Sequence, residues 1–314
     1  MSQVSSLYLK RRWRCSRLLC TDRRCRRQFP LSLKDIKMST RFKDPESELF
    51  EAIFNGDLVR VRQLIDSGIN KNTVLHNPAR WEGATILGTA AIEGHLDIVK
   101  YLIQQKVSVN FTDPCLGRTA LHWACMVNRV DIVRHMLDSG SDVNICDKDN
   151  TTPLIKAVIH KCKDIVRLLI ERGADVNQVD RLRSSALHYA TFIGIPQMVS
   201  DIIKGGCVDN TESILGKGTP LSNLMHHEDI ENISLLLNAG YSTMKDKWLM
   251  EWEDVKDPPN KAIRFILLRY KNPPSLQHMC RKVVRENMHG RFVSKKIRTL
   301  PLPLSLHSFL LLES

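Results

Sequence analysis

Histidine and cysteine are the side chains here with the most chemistry to offer, eleven of the first and nine of the second. Their spacing gives them little to do. His226-His227, and Cys162 near His160, have no matching second pair at zinc-site spacing. Cys15, Cys20 and Cys25 stand five apart among arginines, and three thiols with no histidine nearby do not close a metal site. His122 and His188 have the type for catalysis or metal binding, but both sit in a recurring motif taken up below. No glycine-rich phosphate loop, nucleophile elbow or carboxylate pair suited to one pocket is present. The sequence predicts no catalytic group, no metal and no cofactor.

What it offers instead is the chemistry of contact. Leu276, Met279, Cys280, Val283, Val284 and Met288 fall at i, i+3, i+4, i+7, i+8 and i+12, a single apolar stripe on a helix. Arg281, Lys282 and Arg285 take the opposite face. Pro273 and Pro274 stop whatever precedes, Ser275 suits the N-cap, and Gly290 suits the terminus. So short an element has little of its own to bury against, and it reads as half of an interface. Twenty residues past Cys280 come Leu300-Pro301-Leu302-Pro303 and an apolar stretch to Leu312.

Composition bounds the setting. At 314 residues, 43% hydrophobic and 25% charged, the chain is ordinary soluble protein of one or two domains. Its net charge of +12 is uneven: residues 1–43 hold 13 Lys/Arg against 2 acids, and the remainder 33 against 32. The folded body is therefore near neutral, which argues against nucleic-acid binding by it. An odd number of cysteines in no regular framework fits reduced thiols. No 18-residue apolar run and no secretory h-region is present, so a cytoplasmic protein without a membrane span is expected, one that could also enter the nucleus.

A repeat of 33 or 34 residues runs from Glu46 to about Thr243. Its register is set by Thr85, Thr119, Thr152, Ser185 and Thr219, spaced 34, 33, 33 and 34. They open Thr-Ile-Leu-Gly-Thr-Ala, Thr-Ala-Leu-His-Trp-Ala, Thr-Pro-Leu-Ile-Lys-Ala, Ser-Ala-Leu-His-Tyr-Ala and Thr-Pro-Leu-Ser-Asn-Leu. These resemble the Thr-Pro-Leu-His-x-Ala of the ankyrin repeat, a turn plus two antiparallel helices. The hydroxyls suit caps, Pro153 and Pro220 suit first turns, and Ala90, Ala124, Ala157 and Ala190 suit close helix packing. Second helices follow at Asp97–Ile103, Asp131–Leu137 and Asp164–Ile170, with Ile, Val and Leu at i, i+1, i+4 and i+5. Gly140, Gly173 and Gly240 end second helices. Leu49 to Gly68 lacks the opening motif and reads as a capping repeat. With the atypical sixth unit at Asn223–His226, about six repeats result.

The C-terminal segment resembles the SOCS box. Ser275, Leu276, Cys280 and Val284 fill the elongin-binding box, and Leu300, Pro301, Leu302, Pro303, Leu306, Phe309 and Leu310 match the cullin-5 box. The resemblance implies an all-α chain: an ankyrin-repeat solenoid followed by a three-helix SOCS box. The expected division is a basic extension at 1–43, repeats at 44–243, a connecting segment at 244–272 and the box at 273–314. Within the box lie an elongin-binding part at 275–284 and a cullin part at 300–310. Trp248, Trp252 and an apolar helix near Lys261 to Tyr270 are expected to seal the last repeat.

The resemblance further implies a non-catalytic substrate receptor of a ubiquitin ligase. Elongin C, with elongin B, would take Ser275, Leu276, Met279, Cys280, Val283 and Val284. Cullin-5, carrying a RING-box protein, would take Leu300, Pro301, Leu302 and Pro303. Candidate contacts to an unidentified target protein are Trp81, Arg118, Trp123, Lys156, Arg181 and Tyr189. The residue after the histidine position (Thr89, Trp123, Lys156, Tyr189, Asn223) is expected to project toward the concave groove, and Trp123 and Tyr189 are aromatic anchors. Trp81, Leu116, Arg118, Arg181, Leu182 and Arg183 lie at the hairpin tips. Aromatic residues are common at this position in ankyrin repeats, so a structural role stands beside the binding one. His122 and His188 are read as bonding the backbone of the adjacent turn.

Two rival readings are a plain ankyrin scaffold or inhibitor outside any ligase, and nucleic-acid binding through the basic extension. That extension suits a nuclear signal, an RNA- or membrane-attracted arm or a presequence, or is a disordered segment without function. Met38 is a candidate alternative start, which would make residues 1–37 isoform-specific.

Overall fold

The computed structural model describes residues 45–74, 83–207, 218–241, 246, 261–264, 266, 284, 297–300, 302 and 304–311. Among these residues β pairing is confined to two isolated bridges, Val74 with Thr85 and Val179 with Ser185. Everything else regular is helical. Six consecutive helix pairs make the body: α1 (Pro45–Asn55) with α2 (Leu58–Asp66), α3 (Ile86–Glu93) with α4 (Leu96–Gln104), α5 (Ala120–Met126) with α6 (Val130–Asp138), α7 (Pro153–Ile159) with α8 (Lys163–Glu171), α9 (Ala186–Ile193) with α10 (Pro196–Lys204), and α11 (Pro220–His226) with α12 (Ile230–Asn238). A further helix, α13 (Leu304–Leu311), belongs to the C-terminal segment.

The opening hydroxyls start the first helices as their chemistry requires. Thr85, Thr152 and Thr219 accept from the backbone N–H three residues on, at 2.9, 3.2 and 3.1 Å. Each such cap contributes about 1 kcal/mol. Pro153 and Pro220 occupy the first turn, where a missing N–H costs no intrahelical bond. Ala90, Ala124, Ala157 and Ala190 are fully buried, and across the middle repeats the first helices pack on one another more extensively than the second helices do.

Second helices bury one stripe into a continuous apolar core. Ile98, Val99 and Leu102 have counterparts in Ile132, Val133 and Met136, and in Ile165, Val166 and Leu169, all buried. The i+5 residues Ile103, Leu137 and Ile170 are only partly buried, so the stripe is narrower than the spacing predicts. Burying each large apolar side chain contributes about 1.5–3 kcal/mol. Asp97, Asp131 and Asp164 sit in the first turns, where the helix dipole favours an anion.

Polar ties bind one repeat to the next. Asn144 accepts from the Asp175 N–H at 2.7 Å and donates to the Gly173 carbonyl at 3.3 Å. Asn110 accepts from the Asp142 N–H at 2.9 Å, and Asn177 donates to the Gly206 carbonyl at 3.2 Å. Side chains also reach back over glycines of the preceding unit. Gly194 has φ +74°, and a Cβ there would stand 2.6 Å from the His227 ring, so conformation and close approach both demand glycine.

Described residues of the connecting segment pack against the array. Ala262 and Ile266 join the array's core, and Asp246 is buried where the Thr219 hydroxyl donates to it. Trp248 and Trp252 lie outside the described residues.

Candidate functional site

The C-terminal segment has a small core of its own. Ile297, Leu310 and Leu311 are buried, and Val284, Leu300 and Leu302 pack against them half-buried. The Leu300 N–H donates to the Ile297 carbonyl at 3.1 Å and the Leu302 N–H to the Leu300 carbonyl at 2.8 Å. His307 Nε2 donates to the Leu300 carbonyl at 2.9 Å, fixing that turn on α13. Leu306, on the same helix, is 43% exposed. Three of the anticipated contact residues, Val284, Leu300 and Leu302, thus lean partly on this core. Ser275, Leu276, Met279, Cys280, Val283, Pro301 and Pro303 lie outside the described residues.

On the array, the hairpin turns are organised by aspartates. Asp113 accepts from the Leu116 and Arg118 N–H groups at 2.5 and 3.0 Å. Asp147 accepts from Asp149 and Thr151 at 3.0 and 2.9 Å, and Asp180 from Leu182 and Ser184 at 2.9 Å each. Sequence reasoning passed over all three. The signal was available: they precede Thr119, Thr152 and Ser185 by six, five and five residues. The turn oxygens then gather side chains. Tyr189 Oη donates to Asp180 Oδ2 at 2.6 Å, and burial together with that carboxylate pushes the phenol well above its usual range.

Around Asp147 the turns and first helices meet. Lys156 Nζ, from α7, stands 2.8 Å from Asp147 Oδ2, and Arg118 Nε, from the preceding turn, 3.5 Å. Burial raises the Asp147 carboxyl, but Lys156 and the turn amides outweigh it and hold it below its ordinary value. Burial and the charge of Arg118 push the Lys156 ammonium down, opposed by Asp147. The Arg118 guanidinium lies over the Trp123 ring, 4.8 Å from its centroid. Beneath them His122 accepts at Nδ1 from the Thr119 N–H at 3.1 Å, so Nε2 carries the proton and donates to the Thr151 carbonyl at 3.1 Å. That is the structural role read for it from the motif.

The five first-helix positions expected to face the groove are all buried. Trp123 and Tyr189 are each 3% exposed, and Thr89, Lys156 and Asn223 are buried as well. The reason is local: Arg118 covers the indole, Asp180 takes the phenol, and Asp147 takes the ammonium. What reaches solvent is the turn itself, including Arg181, which is exposed and 3.8 Å from Asp149. Trp81 lies outside the described residues.

Among the described residues no group of three or more His, Cys, Asp or Glu could hold a metal ion, and no helix is long and apolar enough to cross a membrane.

Comparison with known proteins bears on both regions. The family model for ankyrin repeats (3 copies) matches residues 49–147 and 128–212, more than half of the chain. The model for the SOCS box matches residues 272–311. Palmitoyltransferase AKR1 of Lachancea kluyveri is 36% identical over 106 residues, 33% of this chain and 14% of that protein. Ankyrin repeat and SAM domain-containing protein 6 of Rattus norvegicus is 28% identical over 120 residues, 38% of this chain and 13% of that protein. Transient receptor potential cation channel subfamily A member 1 of Drosophila melanogaster is 30% identical over 123 residues, 37% of this chain and 10% of that protein. The chain thus spans 14% or less of these relatives, and the likeness is to one stretch of each.

Proposed function

The chain belongs to the ankyrin repeat and SOCS box family, and from that premise we propose that it is the substrate-recognition subunit of a cullin-5 RING ubiquitin ligase. The observation that carries this reading is the order of the two matched regions, a repeat array followed by a SOCS box. Both are adaptor-type domains. The array holds the target; Leu276 and Cys280, with their stripe, engage elongin C and through it elongin B. Leu300, Pro301, Leu302 and Pro303 engage cullin-5, which brings the RING-box protein.

The chain supplies no reacting group in this scheme. It raises the local concentration of a target lysine near the charged E2 enzyme, turning a bimolecular encounter into a tethered one. Burying Leu276 in the adaptor contributes about 1.5–3 kcal/mol. The small core beneath Leu300 and Leu302 supports the reading, because it props the cullin-facing turn on α13.

The test is co-purification. Leu276→Ala with Cys280→Ala should abolish capture of elongins B and C while the helical signal of the array stays unchanged. Undiminished elongin capture would refute the assignment and favour a scaffold acting outside any ligase.

A further inference from the structure

The first helices carry apolar surface that the array's core does not absorb. Met126, Ile159 and Phe192 each stand seven residues past Thr119, Thr152 and Ser185, so successive, mutually packed helices place them in one row. Phe192 is 51% exposed, and Met126 and Ile159 are half-buried. Val127 and Ile193, one residue further along their helices, are half-buried beside them. Met126 and Val127 pack on a cluster of Ala84, Ile92 and Trp123 that is separate from the main core. The ribbon so formed spans three repeats. In the sixth unit the same two places hold His226 and His227, both exposed, and in the second unit buried Ile92 and half-buried Glu93.

Charge is divided between the two halves of these three repeats. The turns, first helices and following loops (residues 113–129, 147–162 and 180–195) hold seven Lys/Arg against four Asp. The second-helix stretches (130–146, 163–179 and 196–207) hold five Lys/Arg against seven acids. Exposure sharpens the difference. Arg129, Lys148, Lys161, Arg181 and Arg183 are exposed, whereas Asp113, Asp147 and Asp180 are buried in their turns and Asp149 is half-buried. Lys148, Arg181 and Arg183 precede the first helices, and Arg129 and Lys161 follow them, so the ribbon has cations on both sides. The carboxylates of Glu93 and Glu228 belong to the flanking units, beyond its two ends.

We propose that this ribbon is where the target docks, and that the docking element is an amphipathic helix whose apolar stripe is flanked by Asp and Glu. This rests on the array being the target-holding half of the receptor. Packed helices lie about 8–10 Å apart, and a helix laid across them returns a side chain to the same face every seven residues, about 10.5 Å. Apolar residues at i, i+7 and i+14 thus meet Met126, Ile159 and Phe192 in turn. An extended segment offers same-side residues about 7 or 14 Å apart and misses the rows. The stripe buries the ribbon, while the flanking carboxylates meet the exposed cations, which steer the encounter and select against basic helices.

The experiment uses the full chain co-purified with elongins B and C. Three fluorescein-labelled peptides are compared by anisotropy at physiological salt: three Leu-Glu-Glu-Leu-Ala-Glu-Glu heptads, the same with Lys at every Glu, and the glutamyl composition with its leucines moved to alternate residues. The first should bind about tenfold more tightly than either of the others. Phe192→Ala should weaken it about tenfold, as truncating an aromatic anchor does, with an unchanged urea midpoint because the ring is half exposed. Lys161→Glu should weaken it about threefold, whereas Lys100→Glu, exposed on second helix α4, should leave it unchanged. That pair separates the ribbon from general attraction to the basic N-terminal segment. Three results would overturn the proposal: equal binding of the glutamyl heptads and either other peptide, an unchanged affinity in Phe192→Ala, or equal effects of Lys161→Glu and Lys100→Glu. Elongin capture is read in the same samples. Peptide preference absent with elongins retained overturns this site alone, whereas elongins absent with preference retained overturns the ligase reading alone.

Discussion

Acid should weaken this array through His122 before it reaches the carboxylates. The ring is fully buried, and its two nitrogens are committed to the Thr119 N–H and the Thr151 carbonyl. Burial lowers its pKa from 6.5 to about 4, with Asp147 pulling upward and Lys156 and Arg118 pushing further down. The unfolded chain therefore takes up a proton between those values that the folded chain refuses. Stability is complete above about pH 6.5 and declines as pH falls toward the folded value. At about 1.4 kcal/mol per unit, the whole gap amounts to about 3 kcal/mol, of which about 2 is lost by pH 5. His160, pushed down by burial and then by Lys156 and Arg118, acts in the same direction. A variant comparison separates the two. Gln at position 122 can accept from Thr119 and donate to Thr151 but does not titrate. Urea unfolding of the full chain, followed by far-UV circular dichroism at pH 7 and pH 5, gives the difference. The intact chain should lose about 2 kcal/mol more than His122→Gln over that interval. Parallel losses would refute the reasoning.

Two further outcomes follow from the packing. Asn144→Ala removes both inter-repeat bonds at 2.7 and 3.3 Å and leaves the Asp175 N–H and Gly173 carbonyl without them. It should cost about 1–3 kcal/mol in urea unfolding, and an unchanged midpoint would count against the ladder. Leu310→Ala opens the small C-terminal core on which Leu300 and Leu302 rest. A core truncation of this kind costs about 2–5 kcal/mol, so cullin-5 capture should fall while unfolding of the array is unaffected; equal cullin-5 capture would show that the turn does not depend on this core.

Local chemistry with a fixed period was legible in the sequence. Thr85, Thr152 and Thr219 cap the helices their spacing assigned to them, because a hydroxyl three residues before a free N–H acts within a single turn. The histidine of the motif was equally readable, since its partners are the backbone and hydroxyl of the residue that opens its own helix and the carbonyl of the next turn. Direction was harder to read. Trp123, Lys156 and Tyr189 looked available to a partner because their register puts them on the inner face, yet each is claimed by a side chain from a neighbouring turn. Arg118, Asp147 and Asp180 come from the turn five or nine residues before the position each one covers, and polar contacts at that separation follow no helical period. The aspartates were missed for a related reason: a turn acceptor has no apolar spacing to mark it. On the C-terminal side the inward lean of Leu300 and Leu302 depends on Ile297, which the motif does not include.

The most direct test is a comparison of the intact chain with one lacking residues 273–314, each carrying a proximity label in cells. The account predicts a set of proteins labelled by both, ubiquitinated with the intact chain and accumulating only with the shortened one. A bound set whose ubiquitination and abundance are the same for both chains would contradict it.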